Sequence, residues 1–336
     1  MPSCSPDPAN YDIPGNNCDD DGDGKIDNVT VCDMGVPADG NAQIFAQSLG
    51  ICQSATGTKW GIVSAAYANS HAGSDAPADA QHGVLPKFGN VLTPREGSSF
   101  GILSSGSATE YDSDNGPQFK GPKDGMQGGL FPSAGPPAGF PKQTQGCPTI
   151  ATATFDLINV KLVLKVPANA KGLQFDFDFW SGEWPEYVCS DYNDSFIAFL
   201  SAKGFNNGAP DNISFDAMKN PVSVNNGFFD RCTAGTQLGC KGGGSAGTST
   251  CLGGPTELAG TGFEDLGTYC GNAQSTGGGA TGWLTSTAPV QPGEQITIEF
   301  MIWDTGDASF DSSVILDNFK WVPDPVTTGT TRPPVK

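Results

Sequence analysis

The stretch KGLQFDFDFWSG, residues 171–182, decides the fold class. Leu173, Phe175, Phe177 and Phe179 alternate with Gln174, Asp176 and Asp178. Only an extended chain sends successive side chains to opposite faces, so this period of two predicts a strand with one buried aromatic face and one wet acidic face. Working outward, TATFDLINVKLVLKVP (152–167), DSFIAFLSA (194–202), DNISFDA (211–217), QITIEFMIWD (295–304) and SSVILDNFKWV (312–322) continue the series. Several antiparallel strands joined by long loops predict a mostly β protein, an antiparallel β-sandwich of jelly-roll type.

Upstream, residues 58–68 and 99–105 also read as strands, and the polar, Gly/Pro-rich stretch 112–147 reads as surface loop. One short helix is expected in ADGNAQIFAQSLGIC, where Ala42, Phe45, Ala46 and Leu49 recur at helical spacing. Asp39 is its expected N-cap, and Gly50 its stop. The organisation that follows is a Cys/Asp-rich leader over residues 1–36, a sandwich domain over 37–323 and a Thr/Pro-rich tail over 324–336. The tail reads either as the start of a stalk or as a frayed end. A Gly/Ser/Thr-rich insertion at about 232–282 carries Cys232, Cys240, Cys251 and Cys270. Lacking a core, it needs covalent staples.

Composition narrows the function. The 336 residues carry 17 Lys+Arg against 36 Asp+Glu, a net charge of −19, and 28 of the acids are Asp. Asp is poor inside helices, which argues against a helical bundle. A strongly acidic surface repels phosphate, which argues against nucleic acid. Ten cysteines without paired CxxC spacing, and only His71 and His82 beside them, favour disulfides in an oxidising compartment over zinc. No stretch approaches the roughly 20 apolar residues of a membrane span. No apolar segment follows Met1, so a secretion signal is expected to lie outside this sequence. The expected location is secreted or on the cell surface.

Two acidic constellations are candidates for metal. In NNCDDDGDGKIDN (16–28), Asp19, Asp21, Asp23, the Lys25 carbonyl and Asp27 fall at positions 1, 3, 5, 7 and 9 of a calcium loop, with Gly24 at the turn and Ile26 as its apolar anchor. Thr30 stands where the bidentate acid belongs, so the loop would borrow Asp33 or water, or bind weakly. Cys18 and Cys32 flank the loop and would clamp it, to each other or elsewhere. A solvated acidic turn without metal is the plain alternative. The second group comprises Glu183, Glu186, Asp191 and Asp194 in one loop, and Asp304, Asp307, Asp311 and Asp317 in another. If the loops meet at one end of the sandwich they make a second calcium site or a carboxylate pair for acid/base chemistry; otherwise they are self-capped turns. Trp180, Trp184 and Tyr187 beside them are candidates for stacking on sugar rings, or for the core.

Enzyme signatures are weak. Gly243, Ser245 and Gly247 match G-x-S-x-G without the strand and helix that a nucleophile elbow needs. His71 or His82 would have to serve Ser104 or Ser105, and each reads more simply as a loop histidine.

The segments FDFDFWSGEWPEYVCSDYNDSFIAFLS, NPVSVNN and GGATGWLTSTAPVQPGEQITIEFMIWDTGDASFDSSVILDNFKW together resemble the choice-of-anchor L domain of bacterial, often myxobacterial, surface proteins. The likeness extends upstream through LPKFGNVLTPREGSSFGILSSGSATE, so it covers most of residues 35–323. It implies a secreted or surface β domain found with varied C-terminal anchors and without an established enzyme activity. The family's acidic motif falls on Glu183, Tyr187, Asn193 and Asp194, and its aspartate-rich end on Asp304, Asp307, Asp311, Asp317 and Asn318. The leader loop resembles the calcium loops of dockerins and thrombospondin type 3 repeats, and short Cys/Asp-rich metal-binding repeats of bacterial surface proteins. The resulting expectation is a noncatalytic calcium-binding surface or matrix protein that mediates adhesion, assembly or glycan binding. Its expected partners are calcium, extracellular glycans, other surface proteins or further copies of itself. A secreted hydrolase of polysaccharides or esters is the alternative.

Overall fold

Among the described residues the alternating and β-branched runs form thirteen strands. They are β1 (Gly61–Ala68), β2 (His82–Leu85), β3 (Phe100–Ser104), β4 (Thr154–Lys165), β5 (Gly172–Ser181), β6 (Ser195–Ser201), β7 (Asp211–Asn212), β8 (Val222–Ser223), β9 (Gly279–Ala280), β10 (Leu284–Pro289), β11 (Gln295–Thr305), β12 (Ser312–Val322) and β13 (Gly329–Thr331). The computed structural model describes residues 4–28, 30–38, 40–109, 135–147, 151–241, 247–265, 270 and 277–333. One sheet runs β1-β4-β11-β6-β7 with β8 against β6; the other runs β13-β10-β5-β12-β3-β2 with β9 against β5. All the named strand pairs are antiparallel. The runs β4-β5-β6 and β10-β11-β12 switch sheet at every step, and β11 and β12 each slot between earlier strands. This is the sandwich that the sequence predicts.

The core lies between the sheets, where Val160, Leu162, Phe175, Phe177, Phe300, Ile302, Val314 and Leu316 are fully buried. Phe175 meets Phe300 edge-on with ring centroids 4.9 Å apart. Helix α1 (Ala42–Ser48) buries Ala42, Phe45 and Ala46 on this core. Asn41 caps it by accepting from the N–H groups of Gln43 and Ile44 at 3.0 and 3.1 Å. The expected cap, Asp39, lies outside the described residues. Gly50, at φ +89°, ends the helix as expected.

The expected wet face of β5 is not wet. Asp176 and Asp178 are buried, because the segment 86–99 and the insertion lay a second small core, including Phe88, Leu92, Trp180 and Phe263, over the outside of that sheet. Asp176 pairs with the Arg95 guanidinium at 2.8 Å and accepts from Asn318 Nδ2 at 2.7 Å. Five disulfides staple the loops: Cys4–Cys18, Cys32–Cys52, Cys147–Cys189, Cys232–Cys251 and Cys240–Cys270. Two of them lie wholly inside the insertion. Cys18 and Cys32 are therefore not joined to each other.

The ends of the chain also pack on the sandwich. Tyr11 joins the core and meets Trp60, whose Nε1 donates to the Asn10 carbonyl at 2.6 Å. Within the tail, Gly329–Thr331 supply edge strand β13 on β10. Arg332 there donates to the Phe228 carbonyl at 2.7 Å.

Candidate functional site

The two acidic loops of the second constellation do meet. β5 ends at Ser181 and leads into Glu183; Asp194 precedes β6; Asp304 lies near the end of β11; Asp311 precedes β12. Because Ser181 pairs with Ser312 and Trp303 with Ser195, the register gathers these four strand ends at one end of the sandwich. Asp194 spans the two sheets. Its Oδ1 accepts from the Thr305 N–H at 3.0 Å and its Oδ2 from the Ser312 hydroxyl at 2.7 Å. Asp311 accepts through its carbonyl from the Gly182 N–H at 3.0 Å, and its carboxylate lies where any side chain on Gly106 would stand. That close approach is why residue 106 has to be Gly.

Burial sets the electrostatics. Glu183, Asp194, Asp304 and Asp311 are all 2% exposed or less. Removing a carboxylate from water disfavours its charged form, and a second carboxylate beside it does so again. Glu183 is pushed well above the usual carboxylate range by burial, then by the charges of Asp194 and Asp307. Asp304 is pushed up likewise by burial, then by Asp194 and Asp311. Asp194 rises to about 7 through burial, although the Ser312 and Thr305 hydrogen bonds pull it down. Among the described residues, Glu183 Oε2 and both oxygens of Asp304 accept no hydrogen bond. Ser105 stands beside Asp304, but its hydroxyl donates to the Ser312 carbonyl at 3.3 Å. Such groups must bind a proton or a cation. The donors are all oxygen, with neither His nor Cys among them, and oxygen donors suit a hard cation such as calcium.

The leader loop has a different geometry. Carboxylate oxygens of Asp19, Asp21 and Asp23 lie within 4.8 Å of one another, the one such trio among the described residues. No three of the buried acids come that close, although Glu183, Asp194, Asp304 and Asp311 raise one another's proton affinity as neighbours. The loop acids are half-buried or exposed and are occupied by their own backbone. Asp19 accepts from the N–H groups of Gly22, Asp23 and Gly24, and Asp23 from that of Lys25.

Several expected members drop out. Asp27 turns away to accept from the N–H groups of Asn16 and Asn17, because a positive φ at Asp27 swings it across the leader. Ile26 is 63% exposed and anchors nothing, and Asp33 is buried against Ser98 and Ser99. Asp317 lies mid-strand, opposite Asp176, and accepts from the N–H groups of Arg95 and Glu96. Asp307 sits at the rim and caps Ser309, while Asp191 is exposed.

The aromatic readings divide. Trp180 is fully buried against Phe88 and Phe263, and Trp184 is stacked on Phe229 at 4.3 Å, so neither ring face is open to a sugar. Tyr187 is half-buried beside Tyr192 and Phe310. Among the described residues no His–Ser pairing forms either. His82 stacks on Tyr67 at 3.8 Å, His71 faces Glu299, and Ser104 and Ser105 bond to Ser312. Gly243 and Ser245 lie outside the described residues. Sequence reasoning missed Ser312 and Gly106 as supports of the acidic centre; a Ser just inside β12 and a Gly just past β3 carry no signal until the strands are paired.

A disulfide-stapled β-sandwich with a buried acidic end is the class of protein these observations define. The choice-of-anchor L domain matches residues 151–320, half of the chain, and the chain belongs to that family. Strands β1 to β3, upstream of the match, complete the same two sheets. No curated protein and no solved structure gives a match. Family membership, with the five disulfides, marks a cell-surface or extracellular protein. No helix among the described residues is long and apolar enough to cross a membrane.

Proposed function

We propose that the protein is a noncatalytic extracellular module that calcium cross-links at the end of its sandwich, and that it serves adhesion, assembly or glycan binding at the surface. The observation that carries this reading is the buried acidic group of Glu183, Asp194, Asp304 and Asp311, in which Glu183 Oε2 and both Asp304 oxygens accept no hydrogen bond among the described residues. A cation held between neighbouring acids of this group ties the strand ends that carry them together, so its binding free energy becomes folding free energy. The exposed Asp19–Asp21–Asp23 trio is a second, weaker calcium position. The hydrolase reading is disfavoured, because acids that cleave a polysaccharide must face a cleft and these face the interior.

Calorimetric melting with excess calcium and then with excess chelator tests the proposal. The midpoint is expected to fall by about 5–10 °C in chelator, as for a ligand present well above its Kd, and to recover with calcium. An unchanged melt in chelator removes the metal from the reading.

A further inference from the structure

The outer face of the β1–β4–β11–β6 sheet carries a built hollow unrelated to the acidic end. The register places Lys161 of β4, Glu299 of β11 and Phe199 of β6 in one row across three strands, with Thr297 opposite Ser201 in the next. These five, with His71, Pro137, Ala138 and Pro210 as walls, enclose about 400 Å³.

Glu299 is the fixed point. Its side chain is 5% exposed, yet it sits on an outward-facing row. Oε2 faces His71 Nδ1 at 3.2 Å and accepts from Asn159 Nδ2 at 2.7 Å. An ionised carboxylate only accepts, so His71 donates from Nδ1 and its Nε2 is left as an acceptor in the neutral ring. Oε1 has the Lys161 ammonium at 3.5 Å, an ion pair rather than a formed hydrogen bond. Lys161 is 43% exposed and carries three N–H donors. The hollow therefore offers an acceptor and a donor side by side, held by a buried network. Beside them is the half-buried Phe199 ring, edge-on to His71 at 5.2 Å.

We infer that this hollow binds a neutral pyranose saccharide. Adjacent hydroxyls of a sugar ring each donate and accept, which matches the Glu299 Oε1–Lys161 Nζ pair. The C–H face of the same ring suits an aromatic side chain. Glu299 is already balanced by Lys161, so no unspent positive charge remains to select an anionic sugar in a chain of net charge −19. The inference rests on reading the chain as an extracellular recognition module and not on calcium.

The test is isothermal titration with cellotetraose, mannotetraose and chitotetraose, and with an acidic oligogalacturonate as the charged control, each with and without chelator. At least one neutral tetrasaccharide is expected to bind with a Kd below about 5 mM, and the oligogalacturonate not at all. Lys161→Met and Phe199→Ala should each weaken binding by about tenfold or more, measured well below each variant's melting midpoint so that the protein stays folded. No binding by any of the three neutral sugars, stronger binding of the acidic one, or binding indifferent to both substitutions would overturn the assignment. Because the melting test of calcium is a separate measurement, either result can fail without the other.

Discussion

The leader loop and the sandwich end hold the same kind of residue in opposite physical states. In the loop, Asp19, Asp21 and Asp23 face water, and their oxygens accept from the loop's own backbone, so three charges can sit close without a counter-ion. At the sandwich end, Glu183, Asp194, Asp304 and Asp311 are buried together, and Glu183 Oε2 and both Asp304 oxygens find no donor among the described residues. An acidic cluster is therefore informative in proportion to its burial. Proximity alone, which is greater in the loop, decides little.

The largest effect that would break this contrast is the calcium response of variants at the two places. Asp304→Asn should abolish the calcium-dependent rise of the melting midpoint, whereas Asp21→Asn should leave nearly all of it. Equal losses from both would mean that burial is not what distinguishes the sites. A second expectation concerns pH in the presence of chelator. The folded pKa of Asp194 is about 7 against an ordinary 3.8, so the folded state holds the extra proton. That contribution is complete below about pH 4 and is lost as pH rises to about 7. Metal-free wild type should therefore lose midpoint over this window relative to Asp194→Asn, and calcium should erase the difference. A relative gain with rising pH would contradict the burial argument. Smaller still, Asn41→Ala removes a helix cap that touches neither site and should cost about 1 kcal/mol, some 2–4 °C, with or without calcium. The smallest effect belongs to the loop: Asp21→Asn should move the chelated midpoint by about 1 °C at most.

Much of the sandwich was legible along the chain. The aromatic alternation around Phe175 to Phe179 and the apolar runs of β4, β11 and β12 marked strands because a period of two has no other backbone that satisfies it. The short β2, β10 and β13 escaped notice, since strands of three to six residues with Ser, Thr or Gly lack a periodic signature of their own. The same alternation misled on Asp176 and Asp178. It separates two faces of a strand but says nothing about what later covers the polar one, here the segment 86–99 and the insertion.

For the acidic site the division is similar. The two Asp/Glu-rich loops could be named from the sequence, and their position next to strong strands suggested that they meet. Which members count was not readable. Asp317 and Glu183 look alike in the chain, yet the β12 register puts Asp317 against Arg95 and Asp176, while Glu183 falls among the strand ends. The sequence by itself determined that this is an acidic, disulfide-rich β-sandwich, because side-chain period, turn residues and cysteine count are local properties. Only the tertiary structure decided which carboxylates lose water and which keep it. Burial depends on strand order and on loops that close over a face, and both are set by contacts between residues far apart in the chain.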